Sequence, residues 1–387
     1  MRRAHSHIGI SIVVALGLGI TPEPGRAQAP VDKAKEGRPP AAASPVVNAD
    51  RTVVFTLLAP KAKEVTVSGE WGGGPTALAH DDSGMWHVTV GPLKADLYGY
   101  SFSVDGFQTL DPLNSAVKPM RSPRTSILEV AGDPPRLHEF QDVPHGTVRI
   151  HEYRSRSLDK LRALYVYTPP GYDDDPGRRY PVLYLFHGSG DNAATWTVFG
   201  RAHLIADNLL AQGKSKPMVI VMPDGHAAPP QPRGGPPEGR SRNSAAFERD
   251  LLEDVMPLVE ASYRVRSEAA SRAIAGLSMG GGQALTIGLN HSDRFAWVGG
   301  FSAAVFDPPA ALSAALADPK TTDKALRLVW IACGKDDRLV ENARRFTAAL
   351  QENGIRHEFQ VTEGNHSWPV WRRYLAEFVP RLFVDKP

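Results

Sequence analysis

The hydrophobic rhythm of the chain divides it in two. From about residue 46 to 131, apolar positions recur every second residue. In MWHVTV, Trp86, Val88 and Val90 alternate with His87 and Thr89. In YGYSFSVDG, Tyr98, Tyr100, Phe102 and Val104 alternate with Gly99, Ser101, Ser103 and Asp105. Turn-forming clusters (WGGGP, DDSG, DPLN) punctuate these runs. A period of two puts successive side chains on opposite faces of a strand, so the stretch predicts short antiparallel strands in a β-sandwich. Its tryptophans, Trp71 and Trp86, could stack on sugar rings or fill the sandwich core. For Trp86 the alternation with Val88 favours the core.

Beyond the bridge PPRLHEFQDVPHG the rhythm changes. TVRIHEYRS and RALYVYTPP read as a strand pair. PVLYLF, MVIVMP, RAIAGL, WVGGFS and LRLVWIACG are continuous apolar runs, the pattern of strands buried on both faces. FERDLLEDVMPLVEASY and ENARRFTAALQENG have helical spacing. Strand and helix alternate from about 140 to 384, which predicts an α/β domain with a mostly parallel sheet covered on both sides. No internal repeat is present.

The N-terminus departs from both patterns. Arg2 and Arg3 precede the apolar run Ile8 to Ile20, and GRAQAP follows with small residues. The run is shorter than the ~20 residues of a spanning helix, so residues 1–27 read as an export signal cut after Ala27. A secreted or periplasmic protein with no membrane partner after cleavage is expected. Residues 28–45, rich in Pro and Ala and without apolar period, read as a disordered linker. Lys plus Arg number 44 against 42 Asp plus Glu, which gives no case for a nucleic-acid partner. The single cysteine, Cys333 in LVWIAC, cannot form an internal disulfide and reads as a buried small hydrophobe.

Candidate chemistry centres on IAGLSMGGGQAL, residues 274–285. Ser278 falls where a strand candidate becomes a helix candidate, the context of a G-x-S-x-G nucleophile elbow. Gly276 and Gly280 permit the tight backbone, and the helix N-terminus offers N–H groups to developing negative charge. A serine hydroxyl needs a base, and the base an orienting carboxylate. In the order Ser, acid, His, the histidines after Ser278 are His291, His357 and His366. His291 lies at the far end of the elbow helix and His357 within a strand candidate. His366, in the loop EGNHSWPVW after that strand, is the candidate base. CGKDD ends the preceding strand and offers Asp336 or Asp337 as the acid, with one of the pair expected to cap the next helix. Two backbone donors are needed for an oxyanion hole: Met279 N–H, and Ser189 N–H in HGSGDNAATW, with Gly188 positioning it and His187 structural. No H-E-x-x-H, paired cysteines, calcium loop or dinucleotide fingerprint occurs, so no metal and no cofactor are expected.

These motifs, with FHGSGDNAATW, IADNLLAQGKSKPMVIVMPDG, CGKDD and GNHSWPVWRRYL in order, resemble carbohydrate esterase family 1, which groups feruloyl, acetylxylan and esterase D-like hydrolases. The resemblance covers about 140–384 and implies an α/β-hydrolase fold, a Ser278–His366 pair and, from the family pattern, Asp337 as the acid. GEW, GMWHVTVGPL, YGYSFSVDG and DPLN over 46–131 resemble the family 48 carbohydrate-binding module, an immunoglobulin-like early-set sandwich. Together they imply an exported serine esterase acting on feruloyl or acetyl esters of plant cell-wall polysaccharide, with a polysaccharide or small ester as its partner. Enterochelin esterases and mycolyl transferases share the fold, so a siderophore esterase or an acyltransferase is an alternative, as is an inactive carbohydrate-binding protein. Trp196 and Trp368 are candidate walls of a slot for an aromatic acyl group, with Trp371 placed by helix spacing in the core. HAAPPQPRGGPPEGRSRN (226–243) departs from the compact pattern and reads as a lid or a disordered loop.

Overall fold

The computed structural model describes residues 43–229 and 237–384. The export signal 1–27, most of the linker and residues 230–236 lie outside the described residues. The described residues fall within one compact unit, Ala42–Pro387. Among them no helix is long and apolar enough to cross a membrane.

The period-two region forms two facing antiparallel sheets. One orders its strands Val46–Val47, Val53–Leu58, Met85–Val90 and Ala79–His80. The other runs Thr76–Ala77, Val65–Gly69, Asp96–Val104 and Phe107–Thr109, with Ser126–Val130 also paired to Asp96–Val104. Val53, Phe55, Val65, Val67, Tyr100 and Phe102 meet between the sheets. Trp86 is buried there with its indole N–H donated to Ala59 O at 2.9 Å. Trp71 is half-buried and stacks on Phe55 with centroids 5.5 Å apart. Both tryptophans therefore serve the sandwich interior and neither is a free stacking platform. Of the stretch read as linker, residues 43–45 are described, and they are joined to the sandwich. Ser44 is buried, its hydroxyl donating to Asp111 at 2.6 Å and accepting from Thr56 N–H at 3.1 Å, so the sandwich begins before residue 46.

The second region is an eight-stranded sheet. Its strands are β1 (Thr147–Ser155), β2 (Lys160–Thr168), β3 (Val182–Phe186), β4 (Val219–Pro223), β5 (Arg272–Leu277), β6 (Trp297–Phe301), β7 (Leu328–Gly334) and β8 (Glu358–Thr362). The spatial order is β1-β2-β4-β3-β5-β6-β7-β8, with β1 and β2 antiparallel and β3 to β8 parallel. The main covering helices are α1 (Ala202–Ala211), α2 (Pro237–Arg249), α3 (Ser278–Asn290), α4 (Val340–Glu352) and α5 (Trp368–Phe378). α2 runs on through a π-helical turn, Asp250–Val255, into Met256–Ser262, and takes up the C-terminal part of the 226–243 stretch.

Why the central strands read as continuous apolar runs is visible in their packing. In β3, Val182, Tyr184 and Phe186 face a core shared with α2, α3 and α4, while Leu183 and Leu185 face one shared with α1 and α5. The second core does not stop at the hydrolase region: Leu97 and Ile127 of the sandwich belong to it. This is an α/β-hydrolase fold preceded by a small β domain.

Candidate active site

Ser278 follows directly on β5 and opens α3. Its φ is 52°, a left-handed conformation that costs a residue with a Cβ on the order of 1–2 kcal/mol. Such strain persists only where the surroundings enforce it. Here the two flanking glycines do so. A Cβ on Gly276 would lie 2.5 Å from Gly280 O, and one on Gly280 would lie 2.4 Å from His187 O. Strand, turn and helix are thus packed backbone to backbone, and the serine side chain is turned out at the C-terminal edge of the sheet.

The same edge delivers the other groups, because parallel strands end together. β7 leads into Asp337 and β8 into His366. The Ser278 hydroxyl donates to His366 Nε2 at 3.0 Å. His366 Nδ1–H donates to Asp337, at 2.8 Å from Oδ2 and 3.0 Å from Oδ1. That pairing fixes the imidazole tautomer, since an ionised carboxylate can only accept. Burial opposes the charge on Asp337, but His366, the Leu339 N–H and the Ser302 hydroxyl outweigh it and hold the carboxyl below the usual carboxylate range. Asp337 is 2% exposed, whereas Asp336 points to solvent. Neither aspartate is the N-cap of α4, whose cap residue Leu339 makes no side-chain cap bond. Asp337 itself accepts the Leu339 N–H just before α4, at 2.8 Å.

His291 caps the far end of α3 and pairs with Glu248 at 2.7 Å, and His357 precedes β8 with Nδ1 against Ile355 O. Neither reaches Ser278. Cys333 is buried in β7, and burial beside Asp337 pushes its thiol up to about 12, which keeps it protonated.

The loop after β3 runs beside the serine: a Cβ on Gly188 would lie 3.6 Å from Ser278 Cβ. His187 Nδ1–H donates to Gly188 O at 2.9 Å, and its Nε2 accepts the Gly225 N–H at 2.9 Å. In a trans peptide C=O and N–H point opposite ways, so holding Gly188 O towards His187 turns the Ser189 N–H away from it. His187 is thus a backbone clamp, as its sequence setting implies. Met279 N–H belongs to the first turn of α3, where backbone donors have no partner within the helix.

Trp196 and Trp368 do not line an open slot. Each is 1% exposed, and they meet edge to face at 4.9 Å in the core beneath α5. The indole N–H of Trp196 donates to Phe186 O at 2.9 Å, while that of Trp368 has no partner. Trp368 opens α5, whose strongly apolar face carries it inward rather than towards Ser278. Trp371 is core as expected, edge-on to His366 at 4.8 Å and donating to Ser302 Oγ at 3.1 Å.

Several groups around the site carry no sequence signal. His226 Nε2 accepts the Gly190 N–H at 3.2 Å, and burial lowers its imidazole to about 4, so it stays neutral and able to accept. Asn243 accepts the N–H groups of Ala227 and Ala228, which ties the far end of the 226–243 stretch back to β4's exit loop. Glu70 and Lys118 of the sandwich reach the hydrolase loops. Their partners lie far away in sequence, where no periodicity or motif can register them. Among the described residues no cluster of His, Cys, Asp and Glu could hold a metal ion.

The Esterase family model matches residues 155–382. A curated endo-1,4-beta-xylanase/feruloyl esterase of Xylanibacter ruminicola is 32% identical over 347 residues, 88% of this chain. The chain spans 46% of that relative's length. The CE1 ferulic acid esterase of Anaeromyces mucronatus superposes with a TM-score of 0.55 at 26% identity, over 63% of this chain and 93% of that one. The enterobactin esterase of Shigella flexneri reaches a TM-score of 0.60 over 86% of this chain and 93% of its own, at 18% identity. That last likeness is one of fold, and it extends beyond what the hydrolase region alone can supply.

Proposed function

The chain belongs to the Esterase family, a family of carboxylic ester hydrolases, and from that premise we propose that it is a serine esterase releasing feruloyl groups from xylan-type polysaccharide. The observation that carries the reading is the hydrogen-bonded series Ser278, His366, Asp337 on a left-handed elbow. Ser278 Oγ attacks the ester carbonyl while His366 Nε2 takes its proton. Asp337 steadies the imidazolium that results. The tetrahedral oxyanion is held by the N–H groups of Met279 and Ser189. Collapse expels the sugar alcohol, protonated by His366, and leaves an acyl group on Ser278. Water, deprotonated by the same imidazole, releases the acid and restores the serine.

The feruloyl assignment is supported by the named activities of the relatives, and no longer by an aromatic slot built from Trp196 and Trp368. Export to the periplasm or medium is part of the proposal and is supported by the Arg2-Arg3 and Ile8–Ile20 pattern. The test is a panel of methyl ferulate, acetylated xylan and a catecholate siderophore, read for wild type and Ser278→Ala. Turnover fastest on methyl ferulate and lost in Ser278→Ala supports the reading. More than ~1% of activity remaining in Ser278→Ala would refute the acyl-enzyme, because losing a triad member costs orders of magnitude. Dominant activity on acetate or the siderophore would reassign the substrate.

A further inference from the structure

The sandwich does not merely precede the hydrolase region. It touches two loops that carry candidate catalytic groups. Glu70 stands just after the strand Val65–Gly69. One carboxylate oxygen accepts the Gly99 N–H at 2.7 Å, within the sandwich. The other accepts the Trp368 N–H at 3.1 Å, across 298 positions of chain. Trp368 is the first residue of α5, and the cap residue Ser367 makes no side-chain bond of its own. The Trp368 N–H is one of the first-turn donors that have no partner within the helix, and it is satisfied by a carboxylate from the sandwich, placed at the positive end of the helix. That helix starts two residues after His366.

The second contact is at the other side of Ser278. Lys118 pairs with Asp191 at 2.8 Å, both side chains nearly buried. Around them Arg121 N–H donates to Gly190 O at 3.0 Å, and the Thr195 hydroxyl donates to Pro119 O at 2.7 Å. The stretch 118–121 thus holds the loop that contains Gly188 and Ser189. Lys118 also lies 5.3 Å from the rings of both Phe199 and Trp368, between the two contacts. A third tie, Arg372 to Asp96 at 2.8 Å, fastens α5 itself to the sandwich. A module used only to tether polymer needs none of these bonds.

We propose that the N-terminal sandwich is a structural part of the active site, with Glu70 and Lys118 as positioning residues for the His366 loop and the Gly188–Asp191 loop. Glu70 fixes where α5 begins and so where His366 presents Nε2. Lys118 fixes the loop that presents the Ser189 N–H. Burial pushes the Glu70 carboxyl up, with Lys118, the two N–H donors and Arg372 pulling the other way. The inference rests on the esterase reading, and its test is arranged so that the two fail differently.

The test uses the full chain with Glu70→Ala, Glu70→Gln and Lys118→Met, and Phe107→Ala at an exposed hairpin of the sandwich as control. Each is checked for a cooperative thermal melt. The readouts are kcat and KM on methyl ferulate and p-nitrophenyl acetate, activity on insoluble xylan, and the rate of labelling by a fluorophosphonate. Glu70→Ala and Lys118→Met should each lose about tenfold in kcat on both soluble esters, with KM within about twofold and labelling slowed in parallel, since misplacing a reacting group acts on the chemical step. Phe107→Ala should match wild type. Gln at 70 can accept only one of the two N–H bonds, so Glu70→Gln should lose about threefold or more, and it decides the matter if Glu70→Ala does not fold. Folded variants with kcat within twofold of wild type would overturn the proposal. So would a loss confined to insoluble xylan, which would make the sandwich a polymer-binding module. A wild type that is labelled but hydrolyses no ester would sink the esterase reading, and the labelling rates alone would then decide the role of Glu70 and Lys118.

Discussion

Asp337→Asn tests the site at its most constrained bond. Asn is nearly isosteric with Asp, so the change alters hydrogen-bond polarity and little else. Asp337 Oδ1 accepts the Leu339 N–H at 2.8 Å, which obliges the Asn amide oxygen to take that position. The amide NH2 then occupies the place of Oδ2, 2.8 Å from His366 Nδ1. Two donors cannot face each other, so the imidazole shifts its proton to Nε2. That proton now meets the Ser278 hydroxyl 3.0 Å away, and the base can no longer accept. The wrong tautomer in a Ser-His-Asp enzyme costs about 10⁴ in kcat, or about 5.4 kcal/mol at 1.36 kcal/mol per decade. Steady-state hydrolysis of methyl ferulate should show that loss in kcat with KM little changed. Asp336→Asn, at a solvent-facing position, should stay within about twofold of wild type. Retention of more than about a tenth of kcat in Asp337→Asn, or a larger loss in Asp336→Asn, would show that the orienting bond is not what the geometry implies.

Trp368→Ala should destabilise the fold by about 3–5 kcal/mol in denaturant titration, the range for removing a buried aromatic, and should leave the preference between feruloyl and acetyl esters unchanged. A shifted preference would return Trp368 to the pocket wall. Ser278→Gly should be more stable than Ser278→Ala by about 1 kcal/mol in the same titration, because only glycine adopts the left-handed backbone without strain; equal stabilities would mean the elbow is relaxed. His138, His203 and His226 are each lowered by burial from 6.5 to about 4. Between those values the unfolded chain binds more protons than the folded one, so the contribution of these groups is complete above about 6.5 and falls as pH drops towards 4. The melting temperature should therefore be lower at pH 5 than at pH 7, and a melting temperature at pH 5 equal to or above that at pH 7 would contradict the burial of these imidazoles.

Much of this molecule is written locally. The period-two stretch gives the sandwich strands, and the continuous apolar runs give the central strands of the large sheet, because burial on one face or on two leaves different residue patterns. The elbow is legible for the same reason: a strand, a serine between glycines and a helix are contiguous. So is the order serine, acid, histidine, since parallel strands of one sheet bring their C-terminal ends together. What the tertiary structure decided is everything that depends on which neighbour a side chain meets. Asp336 and Asp337 are equivalent as letters, and only the path of the chain out of β7 buries the second against His366 and leaves the first in solvent. Trp196 and Trp368 sit beside candidate site residues in sequence, yet the packing of α5 turns both into the core. Ser44 looks like linker and is held by Asp111 across 67 positions. Glu70 and Lys118 carry no motif or periodicity that marks them in the sequence. They meet the His366 and Gly188 loops where Leu97 and Ile127 bury apolar surface in the hydrolase core, and burial of apolar area is non-directional: it leaves no pattern in the sequence that names its partner.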